Sequence, residues 1–200
     1  PYEDAEIANA FAAMAQKEGI AIHTSTSVSK IEDKGGKKLV TFGDKQKEVD
    51  LVLVAVGRSP YTEGLGLDKV GVAMEKGFVK VNEYLETSVP GIYAIGDVIG
   101  PPWLAHVAME EAITCIERIA WKKDPKKHHE PYPIDYSTIP GCTYCLPQVA
   151  SVGFTEQQLI AQGLKKDKDY AVGKMPFQSH GKAIAAAHTE GMIKLLRGLP

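Results

Sequence analysis

Cysteine is scarce in this 200-residue sequence: Cys115, Cys142 and Cys145 are the only three. So few thiols cannot build the disulfide framework of a small secreted protein, and a reducing, cytoplasmic compartment is expected. An excess of one charge is missing as well. With 23 basic and 25 acidic residues the net charge is −2, which gives no field to draw in nucleic acid or a membrane surface. The one basic cluster, "WKKDPKKHH" (121–129), is broken by Asp124 and Pro125 and reads as a solvated helix end and loop. No apolar run approaches the ~18–20 residues of a membrane span. There is no charged-then-apolar targeting segment, no internal repeat and no low-complexity tract.

What is present is the composition of an ordinary globular protein, 44% hydrophobic, which suffices for one large domain or two small ones. Residues 4–18 form an amphipathic pattern with Ile7, Phe11, Met14 and Ala15 on one face. Asp4 is placed to cap that helix and Gly19 to end it in a left-handed turn. "IAIHTSTSVSKIED" and "KKLVTFGD" flank the turn signal "KGGK" and predict antiparallel strands. "VDLVLVAVGRSP" is apolar on both alternating faces, the pattern of a strand buried in a parallel sheet, with Gly57 ending it. "PGIYAIGDVIG" (90–100) predicts a further short strand with Gly96 and Asp97 at its carboxyl end. A long helix is expected from about Trp103 to Trp121, its apolar stripe formed by Leu104, Val107, Ala108, Ala112, Cys115, Ile116 and Ile119. From about Asp135 the texture is strand-like, broken by Pro140 and Pro147. A short helix follows with Thr155 and Gln158 spaced as a capping box and Gly163 as its stop. "YAVGKMPFQ" to "GMIKLL" implies a last sheet.

The Cys-x-x-Cys of "IPGCTYCLPQ" invites two chemical readings. A reactive dithiol normally sits at a helix N-terminus, where the dipole stabilises a thiolate. Here prolines flank the pair, and on a regular strand Cys142 and Cys145 point to opposite faces. A zinc site wants four ligands, and His128 and His129 are the only nearby candidates. Two buried strand cysteines are the expectation, Cys115 belongs to a helix core, and no metal site is expected.

"AIGDVIGPPWLAH" carries more chemistry. In open α/β sheets ligands bind at the carboxyl ends of strands. Gly96 admits a ligand to the backbone and Asp97 offers a carboxylate acceptor to a hydroxyl. The helix opening at Trp103, Leu104, Ala105 and His106 presents N–H groups that lack partners within the helix. A polyol hydroxyl at Asp97 with an electron-rich ring edge at the helix start describes a flavin on its ribityl chain. An ordinary turn at Gly-Asp is the plainer alternative.

Three stretches, "VDLVLVAVGRSPYTEGLGLDKVGV", "ETSVPGIYAIGDVIGPPWLAHVAMEEA" and "IPGCTYCLPQVASVGFTEQQL", resemble in order and spacing the flavoprotein disulfide reductases. The resemblance covers nearly the whole chain. "LAH" after Gly-Asp favours the dihydrolipoamide dehydrogenases within that family over glutathione or mercuric reductases. It implies an α/β fold with an α+β part: remnants of doubly wound FAD- and NAD-binding domains, then part of an interface domain. The implied divisions are 1–60, the end of the NAD-binding domain; 61–134, the return segment of the FAD region; and 135–200, the start of the dimerisation domain. By the same resemblance Gly96 and Asp97 belong to the FAD site, with Asp97 holding the ribityl group. Trp103, Leu104, Ala105 and His106 contact the flavin ring, and Gly57 and Val28 line the NAD site. Homodimerisation and lipoyl domains of 2-oxo acid dehydrogenase complexes as partners follow.

The departures from the family pattern count too. Neither Gly-x-Gly-x-x-Gly fingerprint is in this sequence, nor is the pair of cysteines with four residues between them, nor the His-Pro-Thr segment of the catalytic base. "AHTEG" lacks the proline and comes before a family-like strand, so His188 is not read as that base, and no catalytic residue is assigned. A section of a longer enzyme, inactive by itself, is the expectation. A soluble transhydrogenase and a non-catalytic dimerisation module are the rivals.

Overall fold

A computed structural model describes residues 3–200. The elements in chain order are α1 (Ala5–Lys17), β1 (Val28–Lys34), β2 (Lys37–Phe42), β3 (Lys45–Val49), α2 (Leu67–Val70), β4 (Met74–Glu75), β5 (Phe78–Val79), α3 (Ala105–Lys123), β6 (Gly141–Thr143), β7 (Val149–Ser151), α4 (Glu156–Ala161), β8 (Tyr170–Pro176), α5 (Gly181–Ala185) and β9 (Met192–Gly198). They fall into two units, Pro1–Val54 with Pro140–Pro200, and Ala55–Ile139.

In the first unit α1 starts at Asp4, whose carboxylate accepts the Glu6 N–H at 3.0 Å. Its end is followed by Gly19 at φ +84°. Ile7, Phe11 and Met14 are half-buried and Ala15 is buried, as the helical spacing predicts. The expected hairpin forms. Gly35 and Gly36, at φ +58° and +89°, make the two-residue turn between β1 and β2, a backbone twist that matches the flanking strands. β3 adds an unforeseen third antiparallel strand. The first strand is shorter than expected, however. Residues 20–27 stay outside it, and a register irregularity between Val28 and Lys30 marks its start.

β6 and β7 form one antiparallel pair and β8 and β9 another, the latter in register from Tyr170 opposite Gly198 to Pro176 opposite Met192. The capping box at α4 is complete: the Gln158 N–H donates to Thr155 Oγ1, and the Thr155 N–H donates to Gln158 Oε1 at 2.8 Å. Gly163 follows at φ +84°. Buried Tyr170 and Thr155 anchor this unit.

Its polar centre is Lys194 of β9, only 5% exposed. The ammonium lies 2.9 Å from Asp4 Oδ1, 3.3 Å from Glu6 Oε2 and 2.6 Å from Glu156 Oε2. Glu6 also pairs with Lys174 at 2.6 Å. Asp4 accepts the backbone N–H of Glu156, joining the starts of α1 and α4. Burial alone would depress the Lys194 pKa, but the hydrogen bonds it donates to these carboxylates outweigh it and hold it above the usual lysine range.

In the second unit, β4 and β5 make a short hairpin, α3 buries Val107, Glu111, Thr114 and Cys115, and Val72, Val79 and Leu85 are also buried. The expected stripe is thus rotated. Ile116 is largely exposed, and Glu111 and Thr114 take buried places that sequence reasoning gave to apolar residues. Around α3, Arg118 bonds Glu86 at 3.0 Å and pairs with Glu130, while its guanidinium lies over the rings of Tyr84 and Trp121. The Lys122 hydrogen bond, then that of Arg118, brings Glu86 down to a pKa of about 2 despite burial.

Two expected strands are not strands here. Residues 90–96 contribute only the Tyr93 bridge to Glu86. The apolar run 51–56 belongs to no sheet, with Leu53 87% and Val56 94% exposed. A strand exists only when neighbours take up its N–H and C=O groups and cover its faces, and none among the described residues does so. No described helix is long and apolar enough to cross a membrane.

Candidate functional site

The residues singled out around Gly-Asp come together in the second unit. Ile95 is extended, and Gly96 then turns at φ +75° into a short 3₁₀ helix, Gly96–Ile99. That positive φ suits glycine. A Cβ built on Gly96 would sit 3.5 Å from the Ala108 Cβ, so the turn lies close against α3. Asp97 follows with its carboxylate exposed to solvent. Leu104 is extended, and its carbonyl accepts the Val107 and Ala108 N–H groups, so α3 begins at Ala105 and includes His106. No side chain caps this N-terminus at Leu104.

Arg58, beside Gly57 in sequence, ties these pieces together. Its Nη1 lies 3.5 Å from Asp97 Oδ2, its Nη2 donates to the Trp103 carbonyl at 3.1 Å, and the guanidinium is 5.2 Å from the Trp103 ring centroid. Trp103 stacks in turn on Phe78 with centroids 6.1 Å apart. Arg58, Pro60, Tyr61, Asp97, Val98 and Trp103 line a cleft of about 310 Å³. An acceptor carboxylate, a cation and a stacked indole around such a cleft fit a polar, partly aromatic ligand that carries hydroxyls. They are suited to the ribityl end of a flavin.

Gly57, at φ +132° with open space where a Cβ would be, stands next to Arg58. Val28 belongs to the first unit, exposed at the start of β1. His188 lies after α5 in that same unit, its N–H bonded to the Ala183 carbonyl.

The cysteines depart from expectation. Cys142 is on β6, but Cys145 is in the turn after it, and both are half-buried rather than buried. Pro147 and the tight turn at Tyr144 pull Cys145 off the strand, and its thiol donates to the Pro147 carbonyl at 3.0 Å. Cys115 is buried as expected, and burial pushes its thiol pKa up, which keeps it protonated. Among the described residues no group of three or more His, Cys, Asp or Glu side chains could hold a metal ion.

Sequence reasoning missed Arg58 and Glu111. Glu111, 3% exposed, accepts the Gly96 N–H at 2.6 Å and the Tyr136 O–H at 2.9 Å. Burial first, and the Glu111 carboxylate second, raise the Tyr136 pKa well above the usual tyrosine range. A signal was present. Glu111 falls four residues from both Val107 and Cys115, a carboxylate set into a helix's apolar row.

Relatives match this chain along almost all of it. A dihydrolipoyl dehydrogenase of Rhizobium etli is 42% identical over 98% of the chain and 40% of its own length. A mitochondrial dihydrolipoyl dehydrogenase of Pisum sativum is 41% identical over 98% of the chain and 38% of its own. A leghemoglobin reductase of Vigna unguiculata is 40% identical. Among solved structures, the HOCl-induced flavoprotein disulfide reductase RclA of Escherichia coli, as a Cu(II) complex, superposes with a TM-score of 0.84 at 25% identity, covering 98% of this chain and 42% of that one. This chain therefore spans about two-fifths of the length of these relatives. The pyridine nucleotide-disulphide oxidoreductase model matches residues 1–112, and the dimerisation-domain model of the same name matches 139–198. With one model covering more than half of its residues and the second most of the remainder, the chain belongs to the pyridine nucleotide-disulphide oxidoreductase family.

Proposed function

We propose that these residues are part of a dihydrolipoamide dehydrogenase, which uses FAD to reoxidise the dihydrolipoyl groups of 2-oxo acid dehydrogenase complexes with NAD. The observation that carries the reading is the cleft in which Asp97, Arg58 and Trp103 converge just before the uncapped start of α3. Asp97 would hold the ribityl hydroxyls, and the backbone from Trp103 to His106 would face the ring. When bound, the flavin supplies the two-electron relay between a dithiol and a nicotinamide. This chain's own work is to bind and orient. Asp97 accepts hydrogen bonds from the hydroxyls, Arg58 steadies that carboxylate and the Trp103 carbonyl, and Gly96 supplies the positive φ that turns the chain into Asp97.

On this reading residues 1–60 end the NAD-binding domain. Residues 61–134 form the returning FAD segment, and 135–200 begin a dimerisation domain that pairs two copies. Lipoyl domains are the macromolecular partner. A cytoplasmic, reducing setting suits the free thiols of Cys115, Cys142 and Cys145. The 200 residues alone do not turn over, because the sequence holds neither the spaced cysteine pair nor the histidine base of the family.

The test is flavin absorbance on titrating the purified chain with FAD, paired with NADH oxidation by lipoamide. Saturable binding that Asp97→Ala weakens about 10- to 100-fold is expected, the range for losing a charge-assisted hydrogen bond. Flavin binding indifferent to that substitution would reject the site, and lipoamide turnover by these residues alone would reject the assignment of activity to the longer enzyme.

A further inference from the structure

Asp97 stands on a turn whose direction depends on one amide. Gly96 leads into the 3₁₀ helix at positive φ, and a left-handed residue next to a three-residue repeat has few neighbours to hold it. Its N–H is bound instead by Glu111, fifteen residues on and nearly two turns inside α3, at 2.6 Å. Burying a carboxylate on a helix's inward face is costly unless donors satisfy it. Here the donors are both neutral, a backbone amide and the Tyr136 phenol. Each carboxylate oxygen has one of them: Oε2 takes Gly96 and Oε1 takes Tyr136. The phenol therefore fixes the plane of the carboxylate, and the carboxylate fixes the amide. Arg58 acts at the Asp97 carboxylate itself.

We propose that Glu111, oriented by Tyr136, is the positioning residue for Asp97: it sets the Gly96 peptide and thereby the direction in which the Asp97 carboxylate faces the cleft. That the cleft's ligand is a flavin rests on the reading above, whereas the clamp on the turn does not.

The experiment compares Glu111→Leu, Glu111→Gln, Tyr136→Phe and a packing control, Val107→Ala, in the same chain. Amide hydrogen exchange at Gly96 and Asp97, followed by NMR, is the primary readout. Glu111→Leu should speed Gly96 exchange tenfold or more and move the Asp97 resonances. Glu111→Gln, which keeps an oxygen for the amide, should restore most of the protection, and Tyr136→Phe should give an intermediate effect. Val107→Ala should lower overall stability while leaving the ratio of Gly96 protection to that of Cys115 unchanged. Gly96 exchange that tracks global stability alike in all four variants would overturn the proposal. So would unmoved Asp97 resonances in Glu111→Leu. FAD titration of the same proteins is read separately. Absence of binding to the unsubstituted chain rejects the flavin while the exchange data still decide the clamp. Flavin binding equally tight in Glu111→Leu removes Glu111 from the positioning of Asp97.

Discussion

Lys194 and Glu111 are both buried charges at the centre of their units, and they are neutralised in opposite ways. Lys194 is surrounded by full charges: Asp4, Glu6 and Glu156 converge on it, with Lys174 shared at the edge. Glu111 meets only dipoles, an amide and a phenol. A charge cluster draws together chain segments far apart in sequence, and it responds to acid because three of its members are carboxylates that lose their charge on protonation. A dipole clamp is local in effect and fixes one peptide's orientation. The first arrangement holds a unit together, and the second aims a ligand-binding residue.

Breaking the cation should therefore cost most. Lys194→Met leaves three carboxylates facing one another without their shared partner. A loss of about 3 kcal/mol in unfolding free energy is expected, the lower end for a broken buried pair because the partners are partly hydrated. Denaturant unfolding of the variant against the parent measures it, and a loss under about 1 kcal/mol would show the cluster to be incidental.

Acid sharpens the same contrast. Glu156, held down chiefly by its Lys194 hydrogen bond, Glu6, held down chiefly by Lys174, and Asp4, where the Lys194 and backbone bonds outweigh burial, all have lowered pKa values. Groups so depressed stabilise the folded state in full above their ordinary values of 3.8 and 4.5, and lose that contribution as pH falls through the folded ones. Glu86 obeys the same sign, its contribution fading between pH 4.5 and about 2. Its partner Arg118 lies 4.6 Å from the Trp121 ring centroid, so Trp121 fluorescence should report that step. The first unit should loosen in the same acid range, and in Lys194→Met, where the carboxylates lose the cation that holds them down, stability should depend much less on pH there. An acid transition unaltered by Lys194→Met would contradict this.

Smaller effects mark the limits of the comparison. Thr155→Ala removes one half of the capping box and should cost about 1 kcal/mol, readable as a shift in the denaturation midpoint. Leu53→Ser and Val56→Ser alter residues that touch almost nothing in this chain and should stay within about 0.5 kcal/mol of the parent. A larger loss would mean that the apolar run is buried in solution.

Sequence and structure agree where the determinants are local. The capping box of Thr155 and Gln158, the glycine turn at 35–36 and the helix cap at Asp4 each depend on residues within four positions of one another. The Gly96-Asp97 turn and the start of α3 were legible for a similar reason, since the motif is contiguous. Lys194 was not legible, because its partners lie 190 residues away at Asp4 and far off at Glu156, and its own neighbours read as plain β-strand. Glu111 and Arg58 were missed because each acts on a residue fifteen to thirty-nine positions away. The run at 51–56 is the converse case. Its alternation does describe a covered strand, but pairing is a property of neighbours, and none of the described residues pairs with it.

The division of the first unit has a temporal side. Ala55–Ile139 is one contiguous stretch, whereas the first unit draws on chain from both flanks of it. During synthesis at roughly 5–20 residues per second, on the order of ten seconds or more separates the emergence of Asp4 from that of Lys194. Through that interval α1 must wait without its cation. What it offers meanwhile at its start is Asp4 and Glu6, carboxylates that water solvates readily. A waiting end built of acids keeps its distance from other nascent chains, where an apolar one would cling to them, and the late lysine closes the unit only once the last strand has been made.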